Sequence, residues 1–371
     1  MEIKRIKSLF LTRLDRYLIG KFLGTYFFSI ILIISIAVVF DFNENIDKFT
    51  TNHAPWKGIV FEYYLNFVPY FSNLFSPLFI FISVIFFTSK LADNSEIIAM
   101  MSTGMSFARL MRPYMISAAI IACLSFYLGS YVIPQGSVTR LNFENVYKRK
   151  KKADFAENIQ LQVDTGVIAF IEHFDGITKT GYHFSLDKFV DKKLVSHLTA
   201  TRVSYDTLSD ERYRWKIHNY TLRQMKGMRE YITHGTKIDS VIMMEPSDFL
   251  LSKNQQETLT NPELKEYVAK QRMRGSGNVK PFEVEYYKRF ASPFASFILT
   301  TIGLSLSSRK RKGGMGLYLG IGLALSASFI LFQSISATFA LNANFPPMIA
   351  VWIPNILFSL IAFYLYKKAP R

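Results

Sequence analysis

The chain has 371 residues, of which 50% are hydrophobic and 15% aromatic, and its mean hydropathy is +0.15. With a single cysteine, Cys123, it can form no internal disulfide and no cysteine-based metal site. The formal net charge of +16 first indicates contact with anionic lipid headgroups and signals for membrane orientation, so no nucleic-acid partner is expected.

Six apolar stretches form two groups of three on either side of a polar region. They cover residues 17–40, 61–87, 110–133, 290–306, 316–341 and 349–366. Most can cross the roughly 30 Å hydrocarbon core, which takes about 20 apolar residues as a helix. Unbroken apolar runs indicate helices rather than barrel strands. The sequence therefore predicts an α-helical membrane protein with six transmembrane helices: an N-terminal half at residues 1–134, an inserted domain at 135–280 and a C-terminal half at 281–371.

Basic residues predict the orientation of these spans. They cluster before span one, between spans four and five at residues 309–312, and after span six at residues 367–371. These segments share a side only if there are six spans, and the positive-inside rule makes that side the cytoplasm. Both termini are therefore expected in the cytoplasm and the insert outside. No cleavable signal sequence is expected, because Arg13, Asp15 and Arg16 directly precede span one.

The densest basic run, residues 148–152, lies on the predicted outer side. Charge in long translocated domains has little weight in topology, so the orientation is kept. The run is interpreted either as a solvated helix face or as a contact for phosphate or carboxylate groups of an anionic lipid.

A predicted helix continues span three over residues 138–152. After this helix, apolar and polar residues of the insert alternate with a period of two. Strands are predicted at residues 159–163, 167–174, 182–190, 194–205, 213–225 and 237–244, with turn signals between them, and a polar helix follows at 261–274. Short strands without intervening helices predict an all-β antiparallel sandwich or jelly roll. The sheet either packs only on itself, guides an apolar molecule away from the bilayer, or adds strands to a partner.

Motifs for catalysis are absent from the sequence. The six histidines are isolated from one another, and no Gly-x-x-x-x-Gly-Lys-Ser/Thr loop occurs. We therefore expect a non-catalytic protein without a cofactor or metal, in which any ATP hydrolysis occurs in a separate subunit. The spans carry amides such as Asn73 and Gln333 rather than charges, which argues against an ion-coupled transporter. No convergent ionisable residues are expected at a span end.

Two glycine pairs have the spacing of close helix contacts. Gly20 and Gly24 lie in span one, and Gly316 and Gly320 lie in span five. Such pairs also occur by chance. The two pairs are therefore interpreted either as parts of a subunit interface or as chance occurrences.

The predicted cytoplasmic connection at residues 89–104 is the most specific segment. Ser95 is expected to cap a short helix, with Glu96 favourable near the positive end of its dipole. Ile97 and Met100 give this helix an apolar surface, and Gly104 is expected to end it. A short amphipathic helix of this kind either docks into a groove on a cytoplasmic partner or lies on lipid.

This segment resembles the coupling region of the lipopolysaccharide-transport permease family (LptF/LptG, or YjgP/YjgQ). The matching residues are Leu91, Ser95, Glu96, Ile97, Met100 and Gly104. A second match is Glu285-x-x-x-Arg289-x-Ala291-x-Pro293, and the opening residues 14–21 resemble the LptG side of the family. The resemblance extends over essentially the whole chain, including the inserted β domain.

The resemblance implies a permease subunit of an ABC-type transporter in the bacterial inner membrane. Such a subunit pairs with a second permease of the family and binds a cytoplasmic ABC ATPase dimer. It extracts lipopolysaccharide and passes it through its periplasmic jelly-roll domain to a β-jelly-roll bridge protein. The resemblance implies that Leu91, Ser95, Glu96, Ile97, Met100 and Gly104 couple the permease to the ATPase. It also implies that the glycine pairs in spans one and five form lateral gates between subunits.

The resemblance also implies basic residues that contact lipid phosphates near the outer end of span one. In this chain that stretch is mostly acidic, so only Lys48 follows the pattern, and Arg140 is a second candidate. Two rival functions are a membrane sensor with an outer ligand-binding domain and a membrane-embedded enzyme acting on lipid. The sensor lacks a cytoplasmic output domain in the sequence, and the enzyme lacks convergent ionisable residues.

Overall fold

The computed structural model describes residues 12–148, 155–207, 213–227, 229–248, 255–273, 279–308, 314–342 and 345–369. The basic runs at residues 149–152 and 309–312, and half of the basic residues at the termini, lie outside these ranges. The chain divides into two compact units. The first contains the described residues of Met1–Lys148, Glu257–Asn261 and Lys280–Arg371, and the second those of Arg149–Gln256 and Pro262–Val279.

The first unit is helical. Its elements are α1 (Arg13–Thr51), α2 (Leu65–Leu74), α3 (Ser76–Asp93), α4 (Glu96–Ser102), α5 (Phe107–Tyr127) and α6 (Ile133–Phe143), followed after the insert by α8 (Lys280–Ser307), α9 (Gly314–Asn342) and α10 (Pro347–Lys368). π-helical turns at Gly58–Tyr64, Leu128–Val132 and Glu144–Lys148 adjoin these helices. The polar helix α7 (Asn261–Met273) lies mostly in the second unit.

Among the described residues, six helical segments are long and apolar enough to cross a membrane, as the sequence predicts. They are Arg13–Thr51, Ser76–Asp93, Phe107–Lys148, Lys280–Ser307, Gly316–Asn342 and Pro347–Lys368. The second differs from the predicted stretch at residues 61–87, because the helix is interrupted at Phe75 and restarts with Pro77 in its first turn. Proline is tolerated there because it lacks only an N–H that has no partner within the helix. Span three continues as helix to Lys148, so the first unit extends past the predicted boundary at residue 134.

The helices of the first unit share an apolar core. Phe22 of α1, Phe79 of α3 and Phe358 of α10 are at most 2% exposed. Because lipid tails are as apolar as these side chains, close packing rather than transfer from water stabilises such a core. Gly303 of α8 permits this packing, since an added Cβ would lie 2.8 Å from Cγ1 of Val84.

The described residues of the second unit form a six-stranded antiparallel sheet. Its strands are β1 (Phe155–Asp164), β2 (Val167–Asp175), β3 (Thr180–Val190), β4 (Lys193–Tyr205), β5 (Arg214–Lys226) and β6 (Arg229–Val241), in sequence order across the sheet. The antiparallel β insert is therefore confirmed. Among the described strands each pairs only with its sequence neighbours, so a meander replaces the predicted jelly-roll connectivity. Tight turns explain this, as between β3 and β4, where Asp191 and Lys192 have φ of 49° and 65°, typical of a type I′ hairpin.

The sheet has one apolar side, on which Trp215 is fully buried. The usual alternation of buried and exposed side chains reverses along a line across the strands. On this line Asn158, His183 and Asn219 have left-handed backbone conformations, each with φ of 51°. On β4 the buried residues Ala200 and Val203 lie on either side of two successive exposed positions. The reversal lets residues on both sides of the line in β2, β4 and β5 contribute to a single apolar cluster.

Candidate functional site

The short helix α4, between α3 and α5, is anchored in the apolar core. Leu91 is 2% exposed and Ile97 is 1% exposed, and Met100 packs against the same cluster. Gly104 has φ of +86°, and its N–H donates to the carbonyl oxygen of Met101 at 3.0 Å. The prediction that Gly104 ends this helix is confirmed, because glycine adopts this conformation at little cost.

Ser95 precedes α4 but does not cap it. Its backbone is left-handed, with φ of 62°, and its side chain makes no capping hydrogen bond to the helix. The predicted capping role is therefore wrong. The left-handed residue instead turns the chain sharply from α3 into α4, and its N–H donates to the carbonyl oxygen of Ala92 at 3.0 Å.

The opposite side of α4 is open. Glu96 is partly buried in the first turn, where Asn94 Nδ2 donates to its Oε1 at 3.2 Å. Ile98 is 55% exposed, and Ala99 and Ser102 are exposed beside it. A carboxylate next to an exposed apolar side chain is suited to a groove on another protein.

An ion pair beside this region joins the beginnings of α1 and α5. Arg109 Nη1 and Nη2 donate to Asp15 Oδ1 and Oδ2, each at 2.7 Å. Asp15 is 5% exposed. Nothing in the order of residues along the chain relates Asp15 to Arg109, so this pair could not be predicted from the sequence.

The four glycines of the two predicted faces are open within the chain. A Cβ added at Gly20, Gly24, Gly316 or Gly320 meets no atom within 4 Å. Gly20 and Gly24 lie in a groove of about 590 Å³ that is also lined by Arg16, Tyr17, Lys21, Thr25, Phe28 and Phe86. These positions therefore leave room for close approach by a second helix.

Lys48 lies in the last turn of α1 and is exposed. Its Nζ donates to Asn45 Oδ1 at 3.2 Å, and the acidic residues Glu44 and Asp47 are exposed on the same turn. Lys48 is thus accessible, as a lipid contact requires, and its role remains a prediction.

In the mostly acidic stretch at residues 40–48, which departs from the family pattern, Asp41 makes contacts within the protein. The hydroxyls of Tyr63 and Tyr64 donate to Asp41 Oδ2 at 3.0 and 3.1 Å. Lys148 Nζ lies 3.6 Å from Asp41 Oδ1 and 4.3 Å from the centroid of the Tyr63 ring. Asp41 therefore connects the C-terminal third of α1 to the π-helical turn Gly58–Tyr64 and to Lys148, the first residue of the basic run.

Arg140 is buried in a network of its own. It is 5% exposed, and its Nη2 donates to Glu257 Oε2 at 3.0 Å. Glu144 Oε1 lies 3.8 Å from Nη1, and the guanidinium lies 4.2 Å from the centroid of the Tyr70 ring. The Tyr70 hydroxyl donates to Glu257 Oε1 at 3.2 Å. Contact between Arg140 and a lipid phosphate, which remains a prediction, therefore requires it to leave Glu257.

A second buried pair lies on α8. Arg289 Nε donates to Glu285 Oε1 at 3.0 Å, and Nη1 donates to the Leu259 carbonyl at 2.7 Å and to Asn261 Oδ1 at 3.1 Å. Asn261 Nδ2 donates to Ser130 Oγ at 2.8 Å. The expectation that no ionisable residues converge at a span end is therefore wrong. The i,i+4 spacing of Glu285 and Arg289 could have indicated their pairing from the sequence. No sequence pattern indicates that Glu257 pairs with Arg140.

A cavity of about 90 Å³ with a partly polar lining lies beside these pairs. Its polar lining includes Tyr70, Asn73, Glu257, Glu285, Lys288, Ser292 and Gln333. The cavity is large enough to hold water. Burial, and then the proximity of Glu285, raises the pKa of the Glu257 carboxyl, while Arg140 acts in the opposite direction. Within the described ranges, no group of three or more His, Cys, Asp or Glu side chains could hold a metal ion.

Comparison with known proteins covers nearly the whole chain. Residues 16–368 match the family model described as lipopolysaccharide export system permease LptF/LptG. The chain is 20% identical over 373 residues to the lipopolysaccharide export system permease protein LptG of Haemophilus influenzae, covering 96% of this chain and 98% of that protein. It is 19% identical over 359 residues to the protein of the same name from Escherichia coli K12, again with 96% and 98% covered. With its six candidate spans and inserted sheet, the chain belongs to the LptF/LptG family of lipopolysaccharide export permeases.

Proposed function

We propose that the chain is the permease subunit of an ABC-type transporter that extracts lipopolysaccharide from the inner membrane. The observation that carries this proposal is α4, anchored by Ile97 in the core of the spans, with Glu96 and Ile98 on its open side. It occurs in a chain that matches the permease family over residues 16–368. The sequence has no nucleotide-binding loop, so the energy for extraction has to come from a partner.

The partner for α4 is proposed to be a cytoplasmic ABC ATPase dimer. Glu96 enters a groove on the ATPase, and Ile98 provides an apolar contact beside it. When the ATPase closes on ATP, it displaces α4. Because Leu91 and Ile97 belong to the same core as the spans, this displacement is passed to α3 and α5.

The second partner is proposed to be another permease of the same family. Gly20 and Gly24 in α1, and Gly316 and Gly320 in α9, would meet the other subunit and form the lateral gates. Support comes from the space around all four glycines, where an added Cβ meets nothing within 4 Å. Small residues allow helix backbones to approach closely. The resulting van der Waals packing is one of the forces that hold helices together in lipid.

The lipid route is proposed to run from the outer ends of the spans to the sheet. In this proposal both termini are cytoplasmic and the sheet is periplasmic. Lys48 contacts a phosphate of the lipid, and Arg140 does so after leaving Glu257. The apolar side of the sheet then receives the acyl chains and passes the lipid to a periplasmic β-jelly-roll bridge protein.

Affinity purification of the tagged full-length chain from bacterial membranes tests the assembly. Mass spectrometry of the purified complex is expected to identify an ABC ATPase, a second LptF/LptG permease and bound lipopolysaccharide. A histidine kinase in place of the ATPase would favour the sensor function. Accessibility labelling of single cysteines in intact cells tests the orientation, and a sheet on the same side as the termini would overturn the route.

Substitution of Glu96 by alanine tests the coupling helix. We expect the variant to insert normally and to keep the second permease, but to lose ATPase association or lipid-stimulated hydrolysis. The matched control is Asp93→Ala, which removes an exposed carboxylate close to α4 and should behave as wild type. Normal ATPase binding and normal lipid stimulation of the Glu96 variant would remove this residue from the mechanism.

A further inference from the structure

The Asp15–Arg109 pair joins two rigid helix ends rather than two mobile side chains. At the beginning of α1, the N–H and hydroxyl of Thr12 donate to Asp15 Oδ2 at 2.9 and 2.8 Å. The Asp15 N–H donates in return to Thr12 Oγ1 at 3.3 Å, which completes a capping box. At the beginning of α5, the Arg109 N–H donates to Oγ of the capping residue Ser106 at 3.3 Å.

Arg109 is also close in the chain to α4. The segment between Ser102, where α4 ends, and Phe107, where α5 begins, is a tight turn containing Gly104. Phe107 and Ile97 belong to the same apolar core. A displacement of α4 is therefore passed directly to the first turn of α5.

The pair differs in kind from the other contacts of α1 with α5. Phe22, for example, packs against Tyr114 with ring centroids 5.9 Å apart. Apolar surfaces of this kind can slide past one another with little change in contact. Two parallel N–H···O bonds to one carboxylate fix orientation as well as distance, and the carboxylate is buried while the Arg109 side chain is 29% exposed.

We propose that Asp15 and Arg109 are positioning residues that transmit the displacement of α4 to α1. This inference rests on the proposed function, in which a partner moves α4. When α4 moves, the first turn of α5 follows, and Arg109 pulls the first turn of α1 with it. Helix α1 carries the open groove at Gly20 and Gly24, so the pair links nucleotide-driven movement to the face proposed as a lateral gate.

The test uses the complex of the full-length chain with its ATPase and second permease in proteoliposomes that contain purified lipopolysaccharide. ATP hydrolysis and lipopolysaccharide release are measured on the same sample. For Asp15→Asn we expect ATPase association and the KM for ATP to stay at wild-type values. The lipopolysaccharide released per ATP should fall about tenfold, since charged hydrogen bonds are lost from a buried site. Asparagine keeps the size of the side chain, but its NH₂ group donates and cannot accept the bonds that the Thr12 N–H and the Arg109 guanidinium make to the carboxylate.

Two further variants make the outcome decisive. Arg112→Ala removes an exposed arginine from the same helix and should release lipid as wild type does. Arg109→Lys keeps the charge without the bidentate geometry, and we expect an intermediate yield. If Asp15→Asn does not elute as a folded complex, the lipopolysaccharide yield of Arg109→Lys alone tests the proposal.

The outcomes separate this inference from the function on which it rests. Wild-type yields per ATP for both Asp15→Asn and Arg109→Lys would overturn transmission through this pair and leave the permease function standing. A wild-type complex that hydrolyses ATP but releases no lipopolysaccharide would overturn the proposed function and this inference with it.

Discussion

Replacing Arg140 by alanine removes a buried cation near the end of span three. Its Nη2 lies 3.0 Å from Glu257 Oε2, its Nη1 3.8 Å from Glu144 Oε1, and its guanidinium 4.2 Å from the Tyr70 ring centroid. Removing one partner of a buried ion pair costs about 3–5 kcal/mol, because the remaining charge stays out of water without compensation. We therefore expect the free energy of unfolding of Arg140→Ala to fall by about 3–5 kcal/mol.

The loss of unfolding free energy in Arg140→Ala should depend on pH, because Arg140 influences the pKa of Glu257. Burial, followed by Glu285, raises the pKa of this carboxyl, and Arg140 limits the rise. A carboxyl whose pKa rises on folding stabilises the protein below its ordinary pKa and loses that contribution as the pH increases through the raised value. Without Arg140 the pKa of Glu257 rises further. The difference between variant and wild type should therefore be largest at alkaline pH and shrink as the pH falls.

The assay is unfolding of the purified protein in detergent micelles at mildly acidic and mildly alkaline pH. Lys48→Ala removes an exposed cation and serves as the control that should leave stability unchanged. Adding Glu257→Gln to Arg140→Ala should restore part of the loss, because the amide leaves one less charge without a partner. If Arg140→Ala were as stable as wild type at alkaline pH, the reasoning from the buried pair would be refuted. Weaker lipopolysaccharide binding by that stable variant would instead favour Arg140 as a lipid contact.

Three further substitutions test packing in the two units. Trp215→Ala should lower the free energy of unfolding by about 3–5 kcal/mol in a denaturant titration, because the side chain is 0% exposed and its loss leaves a cavity in the sheet's core. Gly303→Ala should cost about 1–3 kcal/mol in the same titration, since the new Cβ would lie 2.8 Å from Val84 Cγ1. Gly24→Ala meets nothing within 4 Å, so stability should hold while co-purification of the second permease falls; normal co-purification would exclude Gly24 from the interface.

The sequence alone determined the spans and most of the strands, because both depend on the local order of residues. A long apolar run predicts a membrane helix whatever it packs against, since lipid surrounds it and every backbone group must bond within the helix. Alternation at residues 159–163 likewise predicted β1, and Asp191-Lys192 predicted the turn between β3 and β4. The helix α4 was predicted with its end at Gly104, because glycine readily adopts a positive φ.

Local order failed where a segment depends on partners elsewhere. The start of β6 at Arg229 was missed because nearly every side chain of this strand is exposed and shows no apolar alternation. Its position is set by backbone pairing with β5, from Lys226 opposite Arg229 to Arg214 opposite Val241. Ser95 was predicted to cap α4 from its residue type, whereas the sharp turn out of α3 requires a left-handed backbone there.

Tertiary structure alone decided which charged residues are buried and with whom. Arg140 and Glu257 are distant in the chain, as are Asp15 and Arg109, and no local pattern relates the members of either pair. Each pair forms because the packing of helices brings opposite charges together where at least one of the two side chains is buried and would be costly to leave unpaired. Apolar residues reveal their environment by periodicity along the chain, but a buried charge is explained only by the partner that the fold places beside it.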